Sequence, residues 1–297
     1  MLDKRPLFAY HSAHGRVNEM FRVAALVENS SAAPACESRH GLSLYLETGK
    51  HKVLFDVGPN RLFLENAAKL GVDIAAVDTV ILSHGHVDHA GGLEAFLSAN
   101  DRARIYLRSS ATEPHYIKVL GVPFNAGMDS KLVHGDRFVF TQAETVIDDE
   151  LTVFSEVKGD MPLPASDTKL FMRKPGGLVR DDFAHEQSLI LTVDGKRILF
   201  SGCSHAGIVN IQRRAETVAG AGMNAIIGGF HLYNPPTRRY EKPEYIRRTA
   251  EALKRTGSVY YTCHCTGRKA CEQMKPILGE RLREFHTGES LKSIPEV

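Results

Sequence analysis

What is missing narrows the possibilities first. The chain has no stretch of 18 apolar residues, and its opening segment, Met1 to His11, carries a charge pair but no apolar run of seven or more. Neither a membrane-spanning helix nor a secretory leader is expected. A dominant charge sign is lacking too: 37 basic and 35 acidic side chains leave a formal net charge of +2. Spread along the chain, that charge builds no field that would recruit nucleic acid or a membrane surface. Cysteine is scarce and odd in number, with Cys36, Cys203, Cys263, Cys265 and Cys271, which argues against a disulfide framework. Reduced thiols in a cytoplasmic protein with no nucleic-acid or membrane partner are the expectation. Disorder is not, because 43% hydrophobic content over 297 residues is ample for a large core. A homo-oligomer is compatible with these features, which do not specify one.

What is present centres on Thr79-Val-Ile-Leu-Ser-His-Gly-His-Val-Asp-His-Ala-Gly-Gly92. Val80, Ile81 and Leu82 read as an interior strand that ends at Ser83 and Gly85. His84, His86, Asp88 and His89 then fall within six residues, a spacing that neither a strand nor a helix can turn to one side. A loop wrapped around a cation satisfies it, with His84 and His86 facing one ion and Asp88 and His89 a second. Gly91 and Gly92 let the backbone pass close by before Leu93, Phe96 and Leu97 start a helical stripe.

The flanking segments read as alternating strands and helices. Phe21–Glu28 reads as a strand, Asn29–His40 as a loop able to form a lid, and Gly41–Thr48 with Lys52–Gly58 as a hairpin ending in Asp56. Arg61–Leu70 reads as a helix closed by Gly71, and Ala103–Leu107 as a strand. Residues 1–20 read as an irregular arm. Residues 108–185 are expected to contain an insertion or lid within a single 1–297 domain, with Phe138–Phe140 and Leu151–Phe154 as a strand pair. Arg173 and Lys174 in that stretch are candidates for binding an anionic substrate. A second hairpin, His185–Val193 and Lys196–His205 around Asp194-Gly195, repeats the first. Ile208–Gly220 reads as a helix and Met223–His231 as a strand whose tip carries His231, a candidate acid, base or substrate-binding group. Tyr245–Lys254 is the last predicted helix, and Ser258–Thr262 the last strand, running into Cys263-His264-Cys265.

The H-x-H-x-D-H loop after an apolar strand resembles the metal-binding motif of the metallo-β-lactamase superfamily. Glu186-Gln-Ser-Leu, Gly202-Cys-Ser-His-Ala-Gly-Ile, Gly228-Gly-Phe-His-Leu and His264-Cys-Thr-Gly narrow the likeness to the 7,8-dihydropterin-6-methyl-4-(β-D-ribofuranosyl)-aminobenzene-5′-phosphate synthase-like branch. The resemblance spans roughly residues 21 to 270 and implies a four-layer αββα sandwich of two mixed sheets with helices outside. It also implies a metal-dependent hydrolase or synthase acting on a small phosphorylated or pterin-like substrate. Asp56 matches the aspartate that braces the ligand loop, and His264 the final metal-binding histidine. Gly202-Cys203 stands where the superfamily has Gly-Asp, so the bridging carboxylate is absent; His205 or the Cys203 thiolate could replace it, with His205 the expected ligand and Cys203 packed behind. Glu186 falls near the third histidine motif and is a candidate ligand or proton handler; with Asp88 and His231 it completes the catalytic candidates. One or two divalent ions are implied, zinc first, with iron, manganese or nickel as alternatives. A redox di-iron protein and a non-catalytic ligand binder of the same fold are the competing readings.

Overall fold

The computed structural model describes residues 21–235 and 237–294; the expected N-terminal arm, with His11, His14 and Arg16, lies outside the described residues. Two seven-stranded sheets form the centre. Ser43–Glu47 and Lys52–Phe55 pair antiparallel, as the hairpin pattern predicts, and Lys52–Phe55 then pairs parallel with Thr79–Ile81 and onward to Arg104–Leu107 and Phe138–Phe140. In the second sheet Gln187–Val193 and Lys196–Ser201 form the other hairpin. Lys196–Ser201, Ala225–Gly228, Val259–Thr262 and Leu282–Glu284 continue it in parallel.

Successive side chains of a strand face opposite ways, and because each sheet is covered on both faces nearly every strand residue is buried. Val53, Phe55, Ile198, Phe200, Ile227 and Tyr261 fill the space between the sheets. Leu54, Val80 and Ile105 face the other way, onto the helices Leu62–Lys69 and Leu93–Ala99. Leu199, Ile226 and Tyr260 similarly receive the helices Ile208–Ala219, Pro243–Lys254 and Arg268–Leu278. The result is the expected four-layer αββα sandwich. None of the helices among the described residues is long and apolar enough to cross a membrane.

The stretch 108–185 divides. Phe138–Phe140 joins the edge of the first sheet while Leu151–Ser155 joins the second, so these two segments do not pair with each other. Each finds a longer apolar partner, Arg104–Leu107 and Gln187–Val193. His115–Val119, Val122–Asn125, Leu170–Lys174 and Gly177–Arg180 build a separate four-stranded sheet whose Ile117, Asn125 and Leu170 reach the cavity described next.

Candidate metal centre

Parallel strands release their carboxyl ends at one side of a sheet, and there the chemistry gathers. Asp56 follows Phe55, the ligand loop follows Ile81, Cys203 and His205 follow Ser201, His231 follows Gly228, and His264 follows Thr262. Four of these tips are sharp: Asp56, Ser204, His231 and His264 have φ of 60°, 65°, 50° and 52°. Left-handed backbone at non-glycine residues is costly and concentrates where function needs it. Close approach does the rest, since a Cβ on Gly92 would stand 2.2 Å from Val57 O and one on Gly202 2.2 Å from Ser83 Oγ.

Asp56 organises the loop. Its Oδ1 accepts Ser83 N–H at 2.7 Å, and its Oδ2 accepts both Ser83 Oγ–H and His89 Nδ1–H at 2.7 Å. With its proton given to Asp56, Ser83 Oγ accepts from His84 Nδ1 at 2.8 Å. One carboxylate thereby holds the Nδ1 side of both His84 and His89 and turns each Nε2 into the site. Asn29 does the same for His264, whose Nδ1 lies 3.0 Å from Asn29 Oδ1. Asp167 does so for His205, whose Nδ1 lies 2.8 Å from Asp167 Oδ1.

These nitrogens converge in two sets. His84, His86 and His205 each place a ligand atom within 4.8 Å of the others; Asp88, His89, Cys203 and His264 form a second group under the same limit. Nε2 of His84, His86 and His205 is buried without a hydrogen-bond partner in each case. In the second set His89 Nε2 stands 3.1 Å from His264 Nε2 and 3.2 Å from Cys203 Sγ. Asp88 Oδ2 lies 3.4 Å from His264 Nε2 and 3.7 Å from His89 Nε2. Burial and the neighbouring imidazoles hold His84 well below the ordinary histidine pKa, so it is neutral and able to ligate. Burial does the same for His86, helped by His205 and His185. Burial opposes charge on His89 as well, but Asp88 and Asp56 outweigh it and raise its pKa to about 9. Burial pushes the Cys203 thiol up, a penalty that a bound cation would reverse. Sγ of Cys203 also groups with His205 and His231, so this residue, expected behind the ligands, lies among them and between the two sets.

His231 lines the cavity beside His205, their rings 4.3 Å apart. Its Nε2 is 3.1 Å from Asp167 Oδ1, an ion-pair distance without hydrogen-bond alignment. Burial works against its charge, yet Asp167 raises its pKa well above the ordinary value. Glu186 is placed differently from a ligand: Oε1 and Oε2 accept the N–H groups of His205 and Ala206 at 2.6 and 2.8 Å, so its carboxylate clamps that loop. Arg173 and Lys174 are not brought to the centre. Arg173 Nε donates to Tyr116 and Lys174 Nζ to Glu113, and neither lines the cavity.

Several contributors escape sequence reasoning. His40 stacks on His264 with its Nε2 3.2 Å from Asp88 Oδ2. Asp167, His115, Asp181 and His185 come from the poorly patterned stretch, although His185 adjoins Glu186 and was available as the third histidine motif. Burial opposes the Asp181 charge, but the hydrogen bond from His115 and the His185 ring facing it hold its carboxyl far below the usual range.

Fold and site together define an αββα protein with a histidine-rich cluster compatible with divalent metal. The chain belongs to the metallo-β-lactamase superfamily, whose family model matches residues 38–212. It is 28% identical over 273 residues to the 7,8-dihydropterin-6-methyl-4-(β-D-ribofuranosyl)-aminobenzene-5′-phosphate synthase of Methanocaldococcus jannaschii, covering 86% of this chain and 90% of that protein. The solved structure of Tm1679, described as a metal-dependent hydrolase of the β-lactamase superfamily, is similar at TM-score 0.79 and 28% identity, covering 93% of this chain and all of that one. The metallo-β-lactamase fold protein YhfI of Bacillus subtilis, at TM-score 0.56 and 12% identity, shares the fold over 93% of this chain and all of its own.

Proposed function

We propose that this chain is a metal-dependent enzyme holding two divalent cations, one on His84, His86 and His205 and the other on Asp88, His89, Cys203 and His264, and acting on a small phosphorylated or pterin-like molecule. The observation that carries this reading is the convergence of three buried imidazole nitrogens, Nε2 of His84, His86 and His205, none of which has a hydrogen-bond partner. Asp88, His89, Cys203 and His264 gather beside them as a second group of ligand-type atoms. Imidazole, carboxylate and thiolate together suit zinc, and the sulfur weighs against manganese. Such cations would acidify a water and stabilise charge growing on a phosphoryl or carbonyl oxygen.

The chain's own groups supply the rest. A cavity of 210 Å³ opens onto both sets, with Ile117 and Leu170 as an apolar wall and Asn234 as a hydrogen-bonding group. Among the described residues no lysine or arginine lines it, so an anionic substrate group would be met by imidazoles and the cations rather than by Arg173 or Lys174. His231, held by Asp167, is placed to give a proton to a departing oxygen or nitrogen. Hydrolysis is the reading these groups support best. The identity to the M. jannaschii synthase along most of both chains favours a second, condensation of a pterin with a phosphorylated aminobenzene riboside.

The test is to assay zinc-loaded protein on a phosphomonoester, on a phosphodiester and for the condensation named in that synthase, with His84→Ala as control. Turnover of one of the three that disappears in His84→Ala supports the proposal and chooses the reaction. Metal uptake and pterin binding without any turnover would make the chain a non-catalytic binder instead.

A further inference from the structure

Behind the first set lies a buried array that ligation does not use. His115, Asp181 and His185 are buried with His86, all four placing a ligand-type atom within 4.8 Å of the others. Asp181 is the hub. Its Oδ2 lies 2.7 Å from His115 Nδ1, and its Oδ1 accepts Phe183 N–H at 2.9 Å and faces His185 Nε2 at 3.2 Å. The far nitrogen of His115 is 3.2 Å from Ser110 O. The far nitrogen of His185 accepts the N–H of Gly85 at 3.0 Å.

Gly85 is the residue between His84 and His86. Its backbone is wedged against the segment that follows Arg104–Leu107, where a Cβ would lie 2.3 Å from Ala111 O. The array therefore runs Ser110 O, His115, Asp181, His185, Gly85 N, and ties the turn at Ser109–Thr112 and the 181–185 loop to the ligand loop. His86 Nε2 sits 3.9 Å from Asp181 Oδ2, beyond hydrogen-bond range but well within that of a buried charge. The carboxylate thus lies on the side of the ligating nitrogen, where its negative charge favours a cation held there.

We propose that Asp181 is a positioning residue for the first cation site, acting through His185 on the Gly85 backbone and through its charge on His86. The inference rests on the metal reading above. We read the four side chains as a brace rather than a separate cation site, because both His115 nitrogens and His185 Nδ1 are committed to hydrogen bonds and the unpartnered His185 Nε2 faces Asp181 Oδ1.

The experiment titrates metal-free wild type, Asp181→Asn and His115→Asn with cobalt(II), following the cobalt ligand-field bands and the thiolate-to-cobalt band separately. Wild type is expected to take two equivalents. Asp181→Asn keeps one at wild-type affinity with its thiolate band intact, and weakens the other roughly 10- to 100-fold. His115→Asn weakens the same equivalent by less, and decides the matter alone if Asp181→Asn does not fold. Two equivalents at wild-type affinity in both variants would overturn this proposal while leaving the metal reading in place. A third equivalent in wild type that Asp181→Asn loses would also overturn it, making the array a cation site. No cobalt uptake by wild type would sink both readings.

Discussion

His89 Nδ1 and Asp56 Oδ2 meet at 2.7 Å with both side chains fully buried. The same carboxylate accepts both donors of Ser83 and, through its hydroxyl, orders His84. Removing the carboxylate leaves three buried donors without an acceptor, and breaking a buried pair in this way typically costs about 3–5 kcal/mol. Asp56→Ala is expected to lose stability of that order in denaturant titration of the metal-free protein, and to weaken both cation equivalents. A variant that binds metal as wild type does would remove Asp56 from its bracing role.

Cys203 takes the place where a bridging carboxylate is usual, and burial pushes its thiol pKa up. Binding a cation should then expel the thiol proton. Zinc titration in two buffers of different ionisation enthalpy is expected to show proton release in wild type, reduced in Cys203→Ser. The thiolate-to-cobalt band should vanish in Cys203→Ser. An unchanged band would move the sulfur out of the ligand set.

His205→Ala removes a nitrogen that the structure leaves buried without a partner. Elemental analysis of protein loaded with zinc and desalted should fall from two equivalents to one. Two retained equivalents would return the third position of the first set to another side chain.

Much of the sandwich was legible because each strand is short, apolar and punctuated. Asp194-Gly195 marked the second hairpin, Gly220 ends its helix in the left-handed region as the pattern required, and the ligand loop declared itself by ligand density. The outer supports were not legible. Asp167 sits in a short 3₁₀ turn and Asp181 in a loop, where no periodicity says which way a side chain faces. Their partners lie 38 and 66 residues away in sequence for His205 and His115, a relation that spacing alone does not carry. Glu186 reads as a ligand or proton handler because it is acidic beside a motif strand; in the structure its two oxygens accept backbone N–H groups.

His231 reaches the cavity without belonging to either of the two ligand sets, so its loss should separate proton handling from metal binding. In His231→Gln, kcat on the accepted substrate is expected to fall about 10²- to 10⁴-fold, the usual contribution of a positioned acid. Metal content should stay at the wild-type value. A comparable fall in metal content would make His231 a ligand rather than a proton donor.

Far from this site, His51 offers a pH dependence whose sign can be worked out. Its Nδ1 lies 3.2 Å from Asp78 Oδ1, and its Nε2 bonds to Asp148. Burial alone would lower its pKa, but the two carboxylates outweigh that and raise it above the ordinary 6.5. A folded state with the higher pKa binds more protons than the unfolded chain between the two values, so stability falls with rising pH in that window. The contribution is complete below about pH 6 and disappears as pH climbs through the folded-state pKa. Denaturant midpoints of wild type and His51→Gln should therefore differ most below the ordinary histidine pKa of 6.5 and converge as pH rises through the higher folded-state value. A gap that stays constant over that range would show that the ring is held by its contacts, not by its charge.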